Sequence, residues 1–204
     1  MKTQRAYHQT RRAAEAEANT ERILRAAHDL WLERPYDQIT LNAVAERAGV
    51  GVQTLIRRVQ TKDGLARAVN RWIEPQITQD RGDPAETHGD PQQIAASIAR
   101  HYERWGESTD RMLRQEHMSP ALAEAAAAGR VAHREWIEAA FDPQLSRLRP
   151  EARRRVRARL VAVCGVELWH VLRRAERLSV PEARDAVADL ISASLSSHLP
   201  DTES

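Results

Sequence analysis

Cysteine is almost absent from this chain. Cys164 stands alone, so no internal disulfide can form and the fold does not rest on an oxidising compartment. Long apolar runs are missing too: the longest, residues 160–166, falls far short of the roughly 20 residues that a membrane-spanning helix needs. The opening MKTQRAYHQTRR is polar and basic and lacks the apolar centre of a secretory signal, so a cytoplasmic protein is expected. Nothing alternates at period two over a useful length, and no glycine-rich phosphate loop appears. His101, His117 and His133 do not share the spacing of ligands on one helix. Glu167 and His170 make a single Glu-x-x-His pair where a carboxylate-bridged metal site requires two. Cys164 sits in an apolar run, where a thiol serves as a small hydrophobe rather than a nucleophile. No cofactor, metal or enzymatic activity is therefore expected.

What the chain does have is helical periodicity and an uneven distribution of charge. Its 204 residues allow one large or two small domains, and 42% hydrophobic with 29% charged residues suits a globular protein rather than a disordered one. Net charge is only +2, yet residues 1–72 hold 13 Lys and Arg against 8 Asp and Glu. A basic N-terminal third on a nearly neutral chain fits nucleic-acid binding at one end.

Residues 1–12 carry Lys2, Arg5, Arg11 and Arg12 without an apolar period and read as a flexible arm, either a solvated tail or a segment reaching DNA. Over residues 13–34, Ile23, Leu24, Ala27, Leu30 and Trp31 share one helical face, and Pro35 ends the helix. Thr61 caps a further helix from Lys62, which Pro75 should kink or end. The polar segment 78–91 reads as a linker. Beyond it, Asp90-Pro91, Ser119-Pro120, Pro150 and the capping box Ser179-Val180-Pro181-Glu182 open four helices, with a short one over residues 110–117. The third of the four is expected to run from 150 to 177. Trp72, Trp105, Trp136 and Trp169 recur at repeat-like intervals, but no other repeat position recurs around them; one core tryptophan per long helix is the simpler account.

Residues 39–69, ITLNAVAERAGVGVQTLIRRVQTKDGLARAV, organise the rest. Thr40 is a good N-cap for a helix whose apolar positions are Leu41, Val44, Ala45 and Ala48. Gly49 stands where a left-handed residue must end it. A second short helix then runs through Gln53-Thr54-Leu55-Ile56-Arg57-Arg58. Helix, tight glycine turn, helix with a basic exposed face is the helix-turn-helix pattern, whose second helix lies in the major groove. Leu55 and Val59, four apart, should face the core, turning Val52, Gln53, Ile56 and Arg57 to the groove. Gln53 can bond an adenine edge in two places and Arg57 a guanine edge, while Val52 or Ile56 can meet a thymine methyl.

Thr40-Leu41, Val44-Ala45-Glu46-Arg47-Ala48-Gly49-Val50, Thr54-Leu55 and Thr61-Lys62-Asp63-Gly64-Leu65 resemble the DNA-binding domain of TetR-type transcriptional regulators. Residues 20–27 resemble that family's first helix. Ile56, Arg58, Gly51 and Pro35 depart from its commonest residues. The resemblance implies an all-α chain with a three-helix DNA-binding domain over 1–75 and an effector-binding, dimerising helical domain over 76–204. It places Thr40, Thr54, Arg58 and Lys62 at phosphates; Lys62 also lies at a helix N-terminus, which suits an anion. It further implies a homodimer through residues 150–199 and a small-molecule effector among the C-terminal helices. There Tyr102, Trp105, Met112, His133, Trp136 and Trp169 are the candidate contacts, although aromatics at helical spacing also serve as core. The expected activity is repression, relieved when effector drives the dimer off a palindromic operator. The alternative from another class is a helical enzyme or metal-binding protein with an incidental helix-turn-helix pattern.

Overall fold

A computed structural model of the chain describes residues 2–196, with side chains from residue 15 onward. Among the described residues every regular element is helical. The chain divides into two compact units, Met1–Glu74 with Arg114–Ala125, and Pro75–Leu113 with Ala126–Ser204.

In the first unit, α1 (Lys2–Glu33) is followed by α2 (Leu41–Ala48), α3 (Val52–Val59) and the opening turns of α4 (Lys62–Arg81). The backbone expected to be an arm over residues 1–12 is instead helical from Lys2. It carries no glycine or proline, so a helix nucleated further along can propagate back through it. Ile23, Leu24, Ala27 and Leu30 of α1 meet Val44, Ala45 and Ala48 of α2, Leu55 of α3 and Leu65 of α4 in one core. Each such buried Leu or Ile contributes about 1.5–3 kcal/mol. The Thr40 hydroxyl accepts from the Ala43 N–H at 3.1 Å, and Gly49 ends α2 in the left-handed region at φ 64°.

The second unit is built on α5 (Pro91–Gln115), α6 (Pro120–Ala140), α7 (Asp142–Leu145), α8 (Pro150–Val163), α9 (Val166–His170) and α10 (Val180–Ser196). Its core gathers Ile94, Ile98, Ile137, Phe141, Leu145, Val156, Leu160, Trp169, Val187 and Ile191. Asp90 caps α5 through the Gln93 N–H, and the Ser179–Glu182 capping box forms as expected.

Four further sequence expectations need correction. α4 does not end at Pro75 but continues to Arg81, because one proline removes only one main-chain bond while the flanking turns keep theirs. The segment 78–91 is not a plain linker: it begins inside α4 and includes a 3-10 turn at Pro84–Thr87 capped by Asp83. No separate helix occupies residues 110–117, since α5 runs unbroken to Gln115. The helix expected over 150–177 is broken at Gly165, whose extended backbone (φ −81°, ψ 157°) caps α9, and a π-helical turn at Val171–Ala175 follows. Glycine gives up roughly 1 kcal/mol of helix stability relative to alanine, so the chain breaks there most easily.

Candidate functional site

α3 is the candidate recognition helix. It is amphipathic: Leu55 is fully buried and Val52 and Val59 pack against the same core. That packing fixes the rotation of the helix and turns Gln53, Arg57 and Arg58 outward, all three exposed. Gln53 and Arg57, one helical turn apart, have no hydrogen bond or ion pair to other described residues, so both polar ends are available. Thr54 and Ile56 are half-buried beside them. Arg58 is held differently, with its guanidinium donating to the Thr20 hydroxyl of α1. Thr40 is exposed at the start of α2, and because its oxygen accepts in the cap, its hydroxyl hydrogen remains free to donate.

The turn between α3 and α4 is tight. The Thr61 N–H bonds the Val59 carbonyl at 2.6 Å across Gln60, which sits at φ 61° and ψ −50°, a strained three-residue turn. The same carbonyl lies against Gly64, where an added Cβ would stand 2.0 Å from it. Only glycine permits that approach. Thr61 caps α4 by accepting from the Gly64 N–H at 2.9 Å.

Lys62 opens α4 with its ammonium 4.2 Å from the centre of the Tyr36 ring. The Tyr36 hydroxyl donates to Asp63 Oδ1 at 2.7 Å, and Ser119 Oγ donates to the same oxygen at 2.9 Å. These hydrogen bonds hold the Asp63 carboxyl below the usual range, while burial raises the Tyr36 phenol to about 12. The motif Thr61-Lys62-Asp63-Gly64-Leu65 is thus a cap, an aromatic-supported cation, a bonded carboxylate, a close-approach glycine and a core leucine in succession.

The C-terminal candidates are more scattered. The break after α8 leaves backbone carbonyls without intrahelical partners, and two of the named side chains satisfy them. The His133 Nε2 bonds the Val161 carbonyl at 2.9 Å, and the buried Tyr102 hydroxyl donates to the Cys164 carbonyl at 3.1 Å. Trp105 donates to Asp80 at 2.6 Å, and Trp169, fully buried, donates to Glu103 at 3.1 Å. Met112 is half-buried on α5. Trp136 alone of the six lines a groove of about 460 Å³, together with Ile77, Thr78, Arg81, Pro84 and Ala132. Its indole N–H donates to the Gly82 carbonyl at 3.2 Å.

Residues 23–69 match the model of the bacterial regulatory proteins of the tetR family. Those residues carry a tetR-type DNA-binding domain. The crystal structure of a TetR transcriptional regulator from Rhodococcus sp. RHA1 shares its fold at a TM-score of 0.50 and 21% identity. That match covers 89% of this chain and 99% of the other. No curated protein sequence matches the chain. Among the described residues the chain is all-α, with an N-terminal helix-turn-helix of the tetR type and a helical C-terminal part. Among the described residues no helix is long and apolar enough to cross a membrane.

Three residues acquire roles that sequence reading did not assign. Tyr36 supports Lys62, and the motif spacing carries no sign of it. Arg22 donates to the Ala48 carbonyl at 3.3 Å, a cation at the C-terminal end of α2. Arg81 faces the groove from a segment read as linker.

Proposed function

We propose that this chain is a cytoplasmic repressor of the TetR family that binds a palindromic operator as a homodimer and is released by a small molecule. Residues 1–75 serve DNA binding, with Arg114–Ala125 packed into the same unit, and the rest of 76–204 serves effector binding and dimerisation. The observation that carries the reading is the pair Gln53 and Arg57, exposed and without a hydrogen bond or ion pair to other described residues, on a helix whose Leu55 is fully buried. A fixed helix with free amide and guanidinium groups suits base-edge readout, and Thr40, Thr54, Arg58 and Lys62 flank it for phosphates. Val52 and Ile56 supply apolar contacts.

Dimerisation through residues 150–199 is supported by Leu190, 41% exposed on α10, and Val171, 49% exposed after α9; residues 197–199 lie outside the described residues. Two recognition helices on such a dimer enter successive major grooves about 34–36 Å apart. An effector shifts that spacing only if it binds one state better than the other. The groove beside Trp136 is the best-supported effector site, with His133 next to it through Arg81. Tyr102, Trp105, Met112 and Trp169 do not line that groove; Tyr102 and Trp169 pack in the core of the same unit.

Selection of bound sequences from random duplex DNA tests the reading. A palindrome with half-sites one helical turn apart, bound with a steep salt dependence, is expected. Enrichment of no sequence would overturn it.

A further inference from the structure

We infer that the groove beside Arg81 and Trp136 takes an anion, a small aromatic carboxylate whose acid group meets the Arg81 guanidinium and whose ring lies along the indole. This rests on the effector reading above and narrows it to a ligand class.

Arg81 is held between two side chains of α6. Its Nη2 lies 2.6 Å from His133 Nδ1, and the guanidinium stacks 4.6 Å from the Trp136 ring centre. His133 gives its Nε2 hydrogen to the Val161 carbonyl, so its Nδ1 carries no hydrogen and accepts from Arg81. That imidazole is therefore neutral. The buried titratable groups close by, His101, Cys164 and Tyr102, are neutral as well. Burial holds His101 uncharged and pushes the Cys164 thiol up to about 12 and the Tyr102 phenol above its usual range. The carboxylates of this region, Asp80, Glu167 and Asp83, the last on the groove wall itself, make no ion pair with Arg81 among the described residues. Asp80 serves Arg104 and the Trp105 indole, and Asp83 accepts from the Ala85 N–H to cap its turn.

Among the described residues, Arg81 forms no ion pair. One acceptor serves a group with five N–H donors. A half-buried guanidinium with its charge uncompensated and a planar fork unfilled is costly unless an anion completes it. A carboxylate does so in two parallel bonds. The remaining walls are mostly apolar, from Trp136, Ile77, Pro84 and Ala132, with polar groups from Thr78, Gln79 and Asp83. They suit a ring, and about 460 Å³ lies within the size range of small-molecule sites. A cationic ligand of the same shape meets Arg81 head-on.

Three isosteric probes test this on the full chain by calorimetry: 2-naphthoate, 2-naphthylmethanol and 2-naphthylmethylamine. The acid should bind at least about tenfold more tightly than the alcohol, and the amine should not bind measurably. Arg81→Gln should erase the preference, Arg81→Lys should keep part of it, and His133→Gln, which leaves the cation, should retain it. Helical circular dichroism checks that each variant folds, and the wild-type comparison needs no variant. Binding of the alcohol or amine as tight as the acid, or no binding of the acid, overturns the inference. Release of operator DNA is read separately. Arg81-dependent acid binding without DNA release leaves the anion site standing and removes its regulatory role. Release by a ligand indifferent to Arg81 does the reverse.

Discussion

The Tyr36 hydroxyl and the Asp63 carboxylate, 27 residues apart, are joined by a 2.7 Å hydrogen bond that ties the loop after α1 to the first turn of α4. Hydrogen bonds to charged groups are worth about 1.5–3 kcal/mol. Tyr36→Phe should therefore lower stability by roughly that amount in urea unfolding. The ring that supports Lys62 is kept, so DNA affinity of the folded fraction should barely move. Tyr36→Leu should weaken DNA binding as well. Equal DNA affinity in both variants would remove the ring's role as a platform.

Gly64 and Gly51 should respond oppositely to a larger side chain. Gly64→Ala places a methyl 2.0 Å from the Val59 carbonyl, and a clash with backbone should cost several kcal/mol. Gly51 caps α3 without a side-chain bond, and its Cβ would meet only Thr54 Oγ1 at 3.8 Å. Gly51→Ser should be neutral or stabilise by a few tenths of a kcal/mol. Thermal melting of the two variants decides; a tolerant Gly64→Ala means the turn relaxes.

At the DNA face, Lys62→Ala should weaken binding nearly evenly across sequences and reduce the salt slope by about 1. Arg57→Ala should cost about 1–3 kcal/mol and relax preference at particular base pairs. Binding titrations at several salt concentrations on matched and mutated operators separate the two effects. If both variants keep the wild-type slope and preference, the assignment of phosphate and base contacts is wrong.

Acid should destabilise the chain well above the carboxylate range. Burial holds His101 at about 3 and His133 at about 4, against 6.5 when unfolded. The unfolded chain takes up these protons first as pH falls. The stability is thus fully present above about 6.5 and is lost between there and about 4. Each histidine contributes up to about 1.4 kcal/mol per pH unit inside that window. His28 and His170, also lowered by burial, add in the same direction. Urea midpoints at pH 7.5 and 5.5 should differ clearly, and His133→Gln should flatten the dependence; identical midpoints would count against neutral buried imidazoles.

Leu190→Asp tests the dimer without touching the core, because the side chain is 41% exposed on α10. Sedimentation at micromolar concentration should show wild-type dimer and a helical, monomeric variant. A monomeric wild type would dispose of the interface.

The helix-turn-helix was legible because each signal is local: the Thr40 cap, the left-handed Gly49 and the Leu55 spacing act within a few residues. The helix starts at Pro91, Pro120 and Pro150 were readable for the same reason. What failed was continuity. Pro75 and Gly165 carry similar warnings in sequence, yet α4 runs through the first and the chain breaks at the second. Neighbours from distant parts of the chain weigh in there: carbonyls freed by the break at Gly165 are taken up by His133 and Tyr102. The C-terminal aromatics were visible as residues, but their partners were not. Arg81 had no local mark at all, since its meaning lies in its contacts with His133 and Trp136 and in its having no ion pair among the described residues.

The DNA-binding unit is not a cassette. Its residues from the helix-turn-helix region are completed by Arg114–Ala125, a stretch that the chain supplies only much later. Gln115 accepts from the Tyr36 N–H at 2.8 Å, Ser119 bonds Asp63, and Glu124 pairs with Arg67 at 2.7 Å. A gene fusion that transplanted only the first 74 residues onto another protein would leave those groups without their partners. Recombination can exchange this reader intact only by carrying along the intervening helix, so the reader and the sequence between its two parts should be inherited together.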